Sequence, residues 1–334
     1  MTTEPCSEPS RSEFLSSLVT KKLVIEEDEQ NERDLTNPVY KQASRLYGDI
    51  RRMTLDKLRE QLRQLGVEEK GSADSCRRRL KNCVQNSVAT KLGKKNTLKH
   101  YYDIVCVIDF EATCERDVSD QVQEIIEFPA FIVDLNQRSV VSTFHEFVKP
   151  KGVISEFCTE LTGITTSVIE KADDFETVID RFEDWLFKFI KMNNVTSFAF
   201  ATDGPWDIAH FFARQCQLNN IRFPEYAKRW INVKKLFASY YKQNSSSLTH
   251  IMAYLGIEFE GRPHSGYDDT HNIASVLIRM LHDGANPVIN ERISWHSAER
   301  TCWGNLRCGY VRIFYNKQSN GLVLSDSEDS DFDN

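Results

Sequence analysis

Apolar residues in the first part of this chain recur at helical spacing. The clearest run is a ladder of leucines at Leu55, Leu58, Leu62 and Leu65. Residues three or four apart share one face of a helix, so the ladder predicts an amphipathic helix that buries this face. Thr54 is placed to cap the helix and Gly66 to end it. A second helix is predicted over 72–82, and the two form a helical pair.

From residue 102 onward, strand-like runs alternate with helical ones. Apolar and β-branched residues are concentrated in DIVCVIDFEAT, FPAFIVDL, STFHEFVKP and SFAFA, which predict four strands. Helices are predicted at 156–162, 173–192, 206–217, 232–241, 247–255 and 268–282. Three strands, a helix, a further strand and more helices indicate an α/β fold with a mixed sheet that is flanked by helices.

These changes of pattern divide the chain into five segments. Residues 1–45 predict a disordered polar and acidic tail, because they carry too little apolar surface to offset the entropy of ordering. The helical pair occupies 50–86, a basic linker follows at 87–101, and the α/β domain spans 102–285. Residues 286–334 form a C-terminal extension, in which aromatic alternation around Tyr310–Tyr315 predicts a short hairpin or edge strand before an acidic tail.

Charge is distributed unevenly along the chain. The formal net charge is -7, yet residues 51–100 hold 14 Lys or Arg against 5 Asp or Glu, a local net charge of +9. A basic stretch can follow a phosphate backbone electrostatically, although a plain solvated linker has the same composition. The distribution therefore permits nucleic-acid binding that the net charge alone would disfavour.

Composition also bears on the cellular compartment in which we expect the chain. No apolar run approaches the roughly 20 residues that a membrane helix needs, and the first residues lack the basic start and apolar stretch of a secretory signal. We therefore expect no membrane association and a location in the cytoplasm or the nucleus, including the nucleolus. The nine cysteines form neither CxxC pairs nor a regular framework, so we interpret them as reduced, structural thiols.

Carboxylates follow two of the predicted strands. Asp109 and Glu111 lie two residues apart at the end of the first strand, so period-two alternation places both side chains on one face. Such a pair can bind Mg²⁺, a hard cation that prefers oxygen ligands, although a strand end that meets solvent has the same pattern. Asp207 follows SFAFA near the start of a helix, where an acid can also simply complement the helix dipole.

His264 and Asp269 lie five residues apart in HSGYDDTHNIA, where a late helix begins. Gly266 gives the segment between them conformational freedom. Histidine titrates near neutral pH, which suits it to take a proton from water, whereas a lone histidine is more often structural. Asp268 competes with Asp269 as the acidic partner.

Together, these motifs resemble those of the DEDDh exonucleases. DFEAT, LTGIT, PWD and HSGYDD follow one another in the order typical of that family. Within the family, the chain most resembles the Eri-type, or histone-mRNA 3′, exoribonucleases, which carry a SAP motif before the nuclease domain. The leucine ladder, the Gly66–Gly71 loop and the closing RRRL are similar to a SAP motif, while Ala73 and Cys76 depart from its usual pattern. The resemblance covers about residues 50–285.

The resemblance implies an RNase H-like fold with a small all-α SAP-like module before it. It also implies two Mg²⁺ ions, for which Mn²⁺ can substitute, and release of nucleoside 5′-monophosphates from 3′ ends. The implied metal ligands are Asp109, Glu111, Asp207 and Asp269, and the family's H-x4-D spacing selects Asp269 over Asp268. The implied catalytic residues are Glu111 and His264, with His264 as general base.

The resemblance further implies two sets of substrate contacts. The terminal nucleotide is expected to contact Phe110, Ala112, Leu161, Thr162, Trp206 and His264, although Trp206 can equally be a core aromatic. In the SAP-like module, the expected RNA contacts are Arg77, Arg78, Arg79 and Lys81. Their alternative is an ordinary solvated helix face.

The expected substrate is RNA with an accessible 3′ end, and three classes stay open: histone-mRNA stem-loops, the 3′ end of 5.8S ribosomal RNA, and small interfering RNAs with short overhangs. The expected partners are accordingly stem-loop or ribosomal ribonucleoproteins or RNA-silencing factors, and the expected roles are RNA processing, RNA decay and negative regulation of RNA interference. Two alternatives are an exonuclease directed at DNA and a scaffold that binds RNA 3′ ends without cleaving them.

Overall fold

Most of the predicted elements enter one α/β domain and a helical module that packs against it. The computed structural model describes residues 10–20, 38–93, 100–116, 122–244, 247–294 and 312–315. The strands are β1 (Ile104–Ile108), β2 (Glu111–Ala112), β3 (Ile125–Asp134), β4 (Ser139–Phe147), β5 (Phe198–Thr202), β6 (Arg229–Asn232), β7 (Glu291–Ser294) and β8 (Arg312–Tyr315).

The helices surround this sheet and build the module. They are α1 (Arg11–Thr20), α2 (Pro38–Arg52), α3 (Leu55–Gln64), α4 (Ala73–Lys91), α5 (Glu156–Thr162), α6 (Thr166–Ile169), α7 (Phe175–Met192), α8 (Ala213–Leu218), α9 (Val233–Tyr241), α10 (Leu248–Leu255) and α11 (Gly266–His282). A π-helical segment, Asp207–Phe212, leads into α8, and a single 3₁₀ turn, Glu225–Ala227, precedes β6.

The eight strands within the described ranges form one mixed sheet, as the alternation of strand-like and helical runs predicts. Strand β1 pairs in parallel with β5 and antiparallel with β3, and β5 continues in parallel to β6. Strands β2 and β4 both pair with β3, while β7 and β8 extend the sheet beyond β6. The prediction of an α/β mixed sheet flanked by helices is confirmed.

Both faces of the sheet are apolar and covered. Along β1, Cys106 and Ile108 pack into the core on the side of α7. Val105 and Val107 pack on the opposite side, against α9, α10 and α11. Strand β1 is buried along its whole length because neighbours cover it on both faces, which explains its continuous apolar sequence.

Strands β1 and β2 are two parts of one line of pairing with β3. The register of the pairs Ile108 with Ala130 and Glu111 with Glu127 is the same, and Asp109 and Phe110 lie between them outside either strand. In this register Pro129 lies opposite Asp109, and a proline has no N–H with which to continue the ladder. The line of pairing is therefore interrupted at Asp109.

The N-terminal region contains more structure than its composition predicts. Helix α1 lies within the predicted disordered tail and buries Leu15, Leu18 and Val19 in the core beside α7, while Phe14 packs edge-on against Phe187 with 5.4 Å between ring centroids. The prediction of a disordered tail is wrong for α1 and for the start of α2. Spacings of three and four residues among its apolar positions give α1 a buried stripe that its polar composition conceals.

The helical module (residues 38–92) begins earlier and ends later than predicted. Thr54 caps α3 and Ser72 caps α4, each by accepting a hydrogen bond from a backbone N–H three residues on. Helix α4 runs to Lys91, so the first part of the predicted basic linker is helical, and α2 packs against α4 as a third helix. Residues 94–99 of that linker lie outside the described residues.

The C-terminal extension contributes to the same sheet. Strand β7 pairs with β6, and β8 pairs with β7, so the edge strand predicted near Tyr310–Tyr315 corresponds to β8. The α/β domain therefore continues beyond the boundary predicted at residue 285. The acidic tail lies outside the described residues. None of the helices in the described ranges is long and apolar enough to cross a membrane.

A buried ion pair joins the module to the α/β domain. Arg79 of α4 donates from Nε to Oδ1 of Asp283 at 2.7 Å, and both side chains are essentially inaccessible to solvent. Tyr241 and Ser75 donate their hydroxyls to the other oxygen of Asp283. Burial nevertheless raises the pKa of Asp283 above its ordinary value, so the pair depends strongly on keeping both partners.

We predict that Arg79→Met lowers the free energy of unfolding by about 3–5 kcal/mol, because Asp283 is then buried without a counter-charge. Urea unfolding followed by circular dichroism measures the change. The matched control is Arg52→Met, since Arg52 forms an exposed pair with Asp49 at 2.8 Å and should contribute less than about 1 kcal/mol. Equal losses in the two variants would contradict a buried anchor.

Candidate active site

Two carboxylates lie where the pairing line of β1 and β2 is interrupted. Phe110 turns into the core on the α7 side, where its ring meets Phe128 with 4.7 Å between centroids. Asp109 and Glu111 flank it in sequence and alternate to the opposite face, the one that α11 covers. Both are partly exposed. The strand thus offers two carboxylates at one end of the sheet.

Asp207 comes to the same place from the next strand of the sheet. It starts the π-helical segment that follows β5, and β5 lies parallel to β1, so both chains leave the sheet at the same edge. The side chain of Asp207 is buried and accepts a hydrogen bond from the N–H of Phe110 at 2.9 Å. This bond ties Asp207 to the backbone between Asp109 and Glu111.

Helix α11 places Asp269 at the site, because its first residue, Gly266, lies close to the backbone of Asp109. A Cβ atom at Gly266 would lie 2.8 Å from the carbonyl oxygen of Asp109, so only glycine lets the helix start so near β1. His264, just before the helix, has φ of 63°, a left-handed conformation that is uncommon outside glycine. Its N–H donates to Oδ2 of Asp269 at 2.8 Å. The loop conformation of His264 and the position of Asp269 are therefore coupled.

The acidic groups repel one another strongly. Burial raises the pKa of Asp109 well above its ordinary value, and the charges of Asp207, Asp269 and Glu111 raise it further. Burial, with Glu127 and Asp269 nearby, raises the pKa of Glu111 to about 8. Burial likewise raises the pKa of Asp207 to about 7 and that of Asp269 to about 6. The protein alone does not compensate these charges at neutral pH.

A divalent cation would offset this repulsion, and carboxylate oxygens are the ligands that hard cations prefer. Within the described part of the chain, no three acidic, histidine or cysteine side chains are already gathered as a complete ligand set. Mg²⁺ suits such a site, because it usually keeps several waters and binds through one or two carboxylates together with substrate phosphates. The residues present therefore fit a cation that protein, water and substrate hold jointly.

The structure separates Asp269 from its neighbour. Asp268 accepts the N–H of Arg262 at 2.9 Å and packs beside Gly261, so it belongs to the loop before the helix. The charge of Asp269 is among those that raise the pKa of Asp109 most. The selection of Asp269 by spacing agrees with this placement.

Two supporting acids were missed by sequence reasoning. Glu127 is buried in β3 and accepts the N–H groups of Gly266 at 2.9 Å and Tyr267 at 3.2 Å, as well as a 2.7 Å contact from Nε2 of His145. It holds the start of α11 on the sheet. An acid within the apolar run IIEFPAF is the signal that could have revealed it.

The second missed acid is Asp203, four residues before Asp207. It is ion-paired with Lys234, and its Oδ1 is buried without a hydrogen-bond partner. Its charge raises the pKa of Asp207, whereas Lys234 lowers it. The two charges of the Asp203–Lys234 pair therefore act on the pKa of Asp207 in opposite directions.

The residues predicted to contact the nucleotide are placed unequally. The side chain of Phe110 is buried in the core and only its backbone lies at the site, because β alternation turns it away. The hydroxyl of Thr162 is occupied within α5, where it donates to the carbonyl of Cys158 at 2.8 Å. Ala112 is buried, and Leu161 is partly exposed. The side chains of Phe110 and Thr162 thus have partners within the protein, and the nucleotide contacts of these residues stay predictions.

Trp206 is not a core aromatic, since 59% of its surface is exposed. Its ring meets His210 edge-on, with 4.9 Å between centroids, immediately before Asp207. An exposed indole beside an acidic site is available for stacking on a base. The nucleotide contact of Trp206 stays a prediction.

The basic residues of the module also divide into two groups. Arg79 is buried in the ion pair with Asp283, so the prediction that it contacts RNA is wrong in this arrangement. Arg77, Arg78 and Lys81 are partly exposed, although Arg78 also lies over the ring of Tyr240 at 4.6 Å. Desolvation and the charges of Arg51, Arg77 and Arg78 lower the pKa of Lys81, as expected for a shared basic surface.

Comparison with known proteins identifies relatives with a defined activity. The family model described as Exonuclease matches residues 106–277. The rat protein named 3′-5′ exoribonuclease 1 is 38% identical over 268 residues, which cover 79% of this chain and 77% of that protein. The 3′-5′ exonuclease Snipper of Drosophila melanogaster is 34% identical and covers 60% of this chain and 78% of its own.

Solved structures give the same picture. A 3′-exonuclease structure that concerns 3′-end recognition of a histone-mRNA stem-loop matches with a TM-score of 0.59 and 34% identity, covering 87% of this chain and 96% of that one. The nuclease domain of 3′hExo, a DEDDh family member bound to rAMP, matches with a TM-score of 0.54 and 40% identity, over 57% of this chain and 98% of that one. The first match extends beyond the nuclease domain alone.

We predict that the metal-free protein loses stability as pH rises from about 5 to about 8. The folded pKa values of Glu111, Asp207 and Asp269, at about 8, 7 and 6, exceed their unfolded values, so the folded state binds more protons in this window. Their contribution is complete below about pH 4 and is lost as pH rises through the folded pKa values. Melting temperatures in EDTA across this window measure the effect.

The same experiment in Mg²⁺ provides the control. Added Mg²⁺ should raise the melting temperature more at the alkaline end than at the acidic end, because the ion binds the ionised carboxylates. Asp207→Asn should flatten both dependences. An Mg²⁺ effect of equal size at both ends would contradict the assignment of the carboxylates as ligands.

Proposed function

The chain belongs to the exonuclease family whose model it matches, and we propose that it is a Mg²⁺-dependent 3′-to-5′ exoribonuclease whose site is built from Asp109, Glu111, Asp207, Asp269 and His264. The observation that carries this proposal is that Glu111, Asp207 and Asp269 lie near enough to Asp109 for their charges to raise its pKa, at the edge where β1 and β5 end. Relatives named 3′-5′ exoribonuclease 1, which are 38% identical to this chain over 268 aligned residues in the rat protein and 265 in the human protein, support the same activity.

Different residues of the chain have different roles in phosphodiester hydrolysis. Asp109, Glu111, Asp207 and Asp269 would hold two Mg²⁺ ions, for which Mn²⁺ can substitute. When bound, the ions stabilise the attacking and leaving oxygens of the displacement. His264 takes a proton from the attacking water. The 2.8 Å hydrogen bond from its backbone N–H to Asp269 keeps the loop of His264 beside the carboxylates.

The remaining residues position the 3′-terminal nucleotide. Trp206 offers an exposed ring for base stacking. The backbone of Phe110 and Ala112 adjoins Asp109 and Glu111 in sequence and would contact the nucleotide beside them. Glu127 holds the start of α11 and thereby fixes the loop of His264 against β1. Product is released as a nucleoside 5′-monophosphate, which exposes the next 3′ end.

We further propose that the preferred substrate is RNA whose 3′ end lies next to a stem. The protein matched over 87% of this chain is a 3′-exonuclease that recognises the 3′ end of a histone-mRNA stem-loop, and its match covers more of the chain than the nuclease domain alone. The basic surface of the module supports the same choice, because phosphate contacts position a duplex without reading its sequence. This surface is formed by Arg51, Arg77, Arg78 and Lys81.

The cellular setting forms part of the same proposal. A role in RNA processing and decay, partners in stem-loop or ribosomal ribonucleoproteins or in RNA silencing, and a location in the cytoplasm or nucleus are consistent with an RNA 3′ end as substrate. Each of these rests on the substrate class.

We predict that Asp109→Asn lowers the rate of RNA trimming by on the order of a thousandfold, because the loss of one ligand charge removes several kcal/mol of stabilisation from the reaction. Gel assays with matched RNA and DNA oligonucleotides measure the rate, and RNA should be degraded faster. Filter binding in Ca²⁺ should show RNA binding close to that of the wild type. Asp184→Asn, on the exposed face of α7, is the matched control and should leave trimming unchanged. Unchanged cleavage by Asp109→Asn would refute the metal assignment.

We predict that the double variant Arg77→Glu, Lys81→Glu weakens binding of stem-loop RNA and makes binding less sensitive to salt, because fewer counterions are released. Trimming of short single-stranded RNA should change little, since the reacting groups are unaltered. Lys188→Glu on α7 reverses a comparable exposed charge away from the module and serves as the control. Equal effects of the module and control variants would contradict a basic docking surface.

A further inference from the structure

The loop that carries His264 is fastened to helix α5 by a side chain outside the motifs of the reaction. Arg262 lies two residues before His264, and its Nη2 donates to the carbonyl oxygens of Glu160 at 2.6 Å and Leu161 at 3.1 Å. These carbonyls belong to the last turn of α5, where helical carbonyls lack partners within the helix. A guanidinium there satisfies two of them and complements the helix dipole.

Gly163 leaves room for this contact. It ends α5 with φ of 78°, and a Cβ atom in its place would lie 1.9 Å from Nη1 of Arg262. The guanidinium therefore lies directly against the backbone that follows α5. No other residue could occupy position 163 while Arg262 keeps this position.

The other bonds of the loop make it a short, stiff connection. The N–H of Arg262 donates to Oδ2 of Asp268 at 2.9 Å, and the N–H of His264 donates to Asp269 at 2.8 Å. Pro263 lies between them and restricts the backbone. His264 has a left-handed conformation, which persists only where the surrounding structure holds it.

We propose that Arg262 is a positioning residue for the reaction, a latch that fixes the His264 loop to the end of α5. This inference rests on the proposed function, because it assigns how the general base is presented to the terminal nucleotide. The latch joins the loop that accepts the proton to the segment, Leu161–Gly163, that borders the expected nucleotide site. Arg262 thereby holds the side of the loop that faces this segment, while Glu127 holds the start of α11 on the other side.

The competing role for Arg262 is direct contact with an RNA phosphate. Its charge lies close enough to lower the pKa of Glu111, so a phosphate held at the carboxylates is also within its electrostatic reach. The two roles differ in what they need. A phosphate contact needs the positive charge, whereas the latch needs the length and the two donors of the guanidinium.

Steady-state trimming of a short single-stranded RNA by the full chain tests the latch. Arg262→Ala should lower kcat by about a hundredfold and leave KM nearly unchanged, since misplacement of a reacting group acts on the chemical step. Arg262→Lys should fail to restore kcat, because its Nζ ends one atom short of the carbonyls. In a His264→Ala background, Arg262→Ala should cause no further loss. A raised KM with unchanged kcat, or full rescue by lysine, would overturn the latch in favour of a phosphate contact.

A second pair of variants tests the same contact from α5. Gly163→Ala should lower kcat in the wild-type background because its Cβ displaces the guanidinium, and should cause a much smaller further loss in Arg262→Ala, where that space is empty. Melting temperatures report separately the strain of a left-handed alanine. Multiplicative losses in the two backgrounds would overturn the proposal. An inactive wild-type chain would refute the proposed function itself, whereas an active wild type with a fully active Arg262→Ala would refute only the latch.

Discussion

The site depends on one electrostatic constraint: four carboxylates are held close together at the end of a buried strand. Burial and mutual repulsion raise the pKa of Asp109 and Glu111, so the acids would separate if side-chain electrostatics alone decided. Backbone hydrogen bonds oppose that tendency. The N–H of Phe110 holds the carboxylate of Asp207 in place, and the N–H of His264 holds that of Asp269. The negative charge that these bonds leave uncompensated can bind divalent cations.

The fold supplies this constraint through close packing. Pro129 interrupts the ladder beside Asp109, and Gly266 lets α11 begin within contact of the same residue. Glu127 then accepts the first N–H groups of the helix and fixes its start on β3. Arg262 fastens the other side of the loop to α5. The chain is a 3′-5′ exoribonuclease in which the reactive loop is anchored on both sides.

Strand alternation alone predicted that Asp109 and Glu111 share a face. The joint assignment of Asp207, His264 and Asp269 came from the order of motifs typical of the DEDDh exonucleases, because each of these residues alone has an ordinary structural alternative. What could not be predicted depends on contacts between distant segments. The burial of Arg79 is set by Asp283, some two hundred residues later, and a basic helix run gives no sign of which arginine turns inward. Helix α1 was missed because it has few apolar residues, and these are buried only through their contacts with the core beside α7.

The most direct test of metal-dependent 3′-to-5′ trimming is the identity of the first product released from RNA labelled at its 3′-terminal phosphodiester. With Mg²⁺ present, we expect the label to appear at once as a nucleoside 5′-monophosphate, while the 5′ portion shortens one nucleotide at a time. Chromatography of the products at early times distinguishes the possibilities. Labelled oligonucleotides or nucleoside 3′-monophosphates as first products, or the same release in EDTA, would contradict a metal-dependent 3′-to-5′ exoribonuclease.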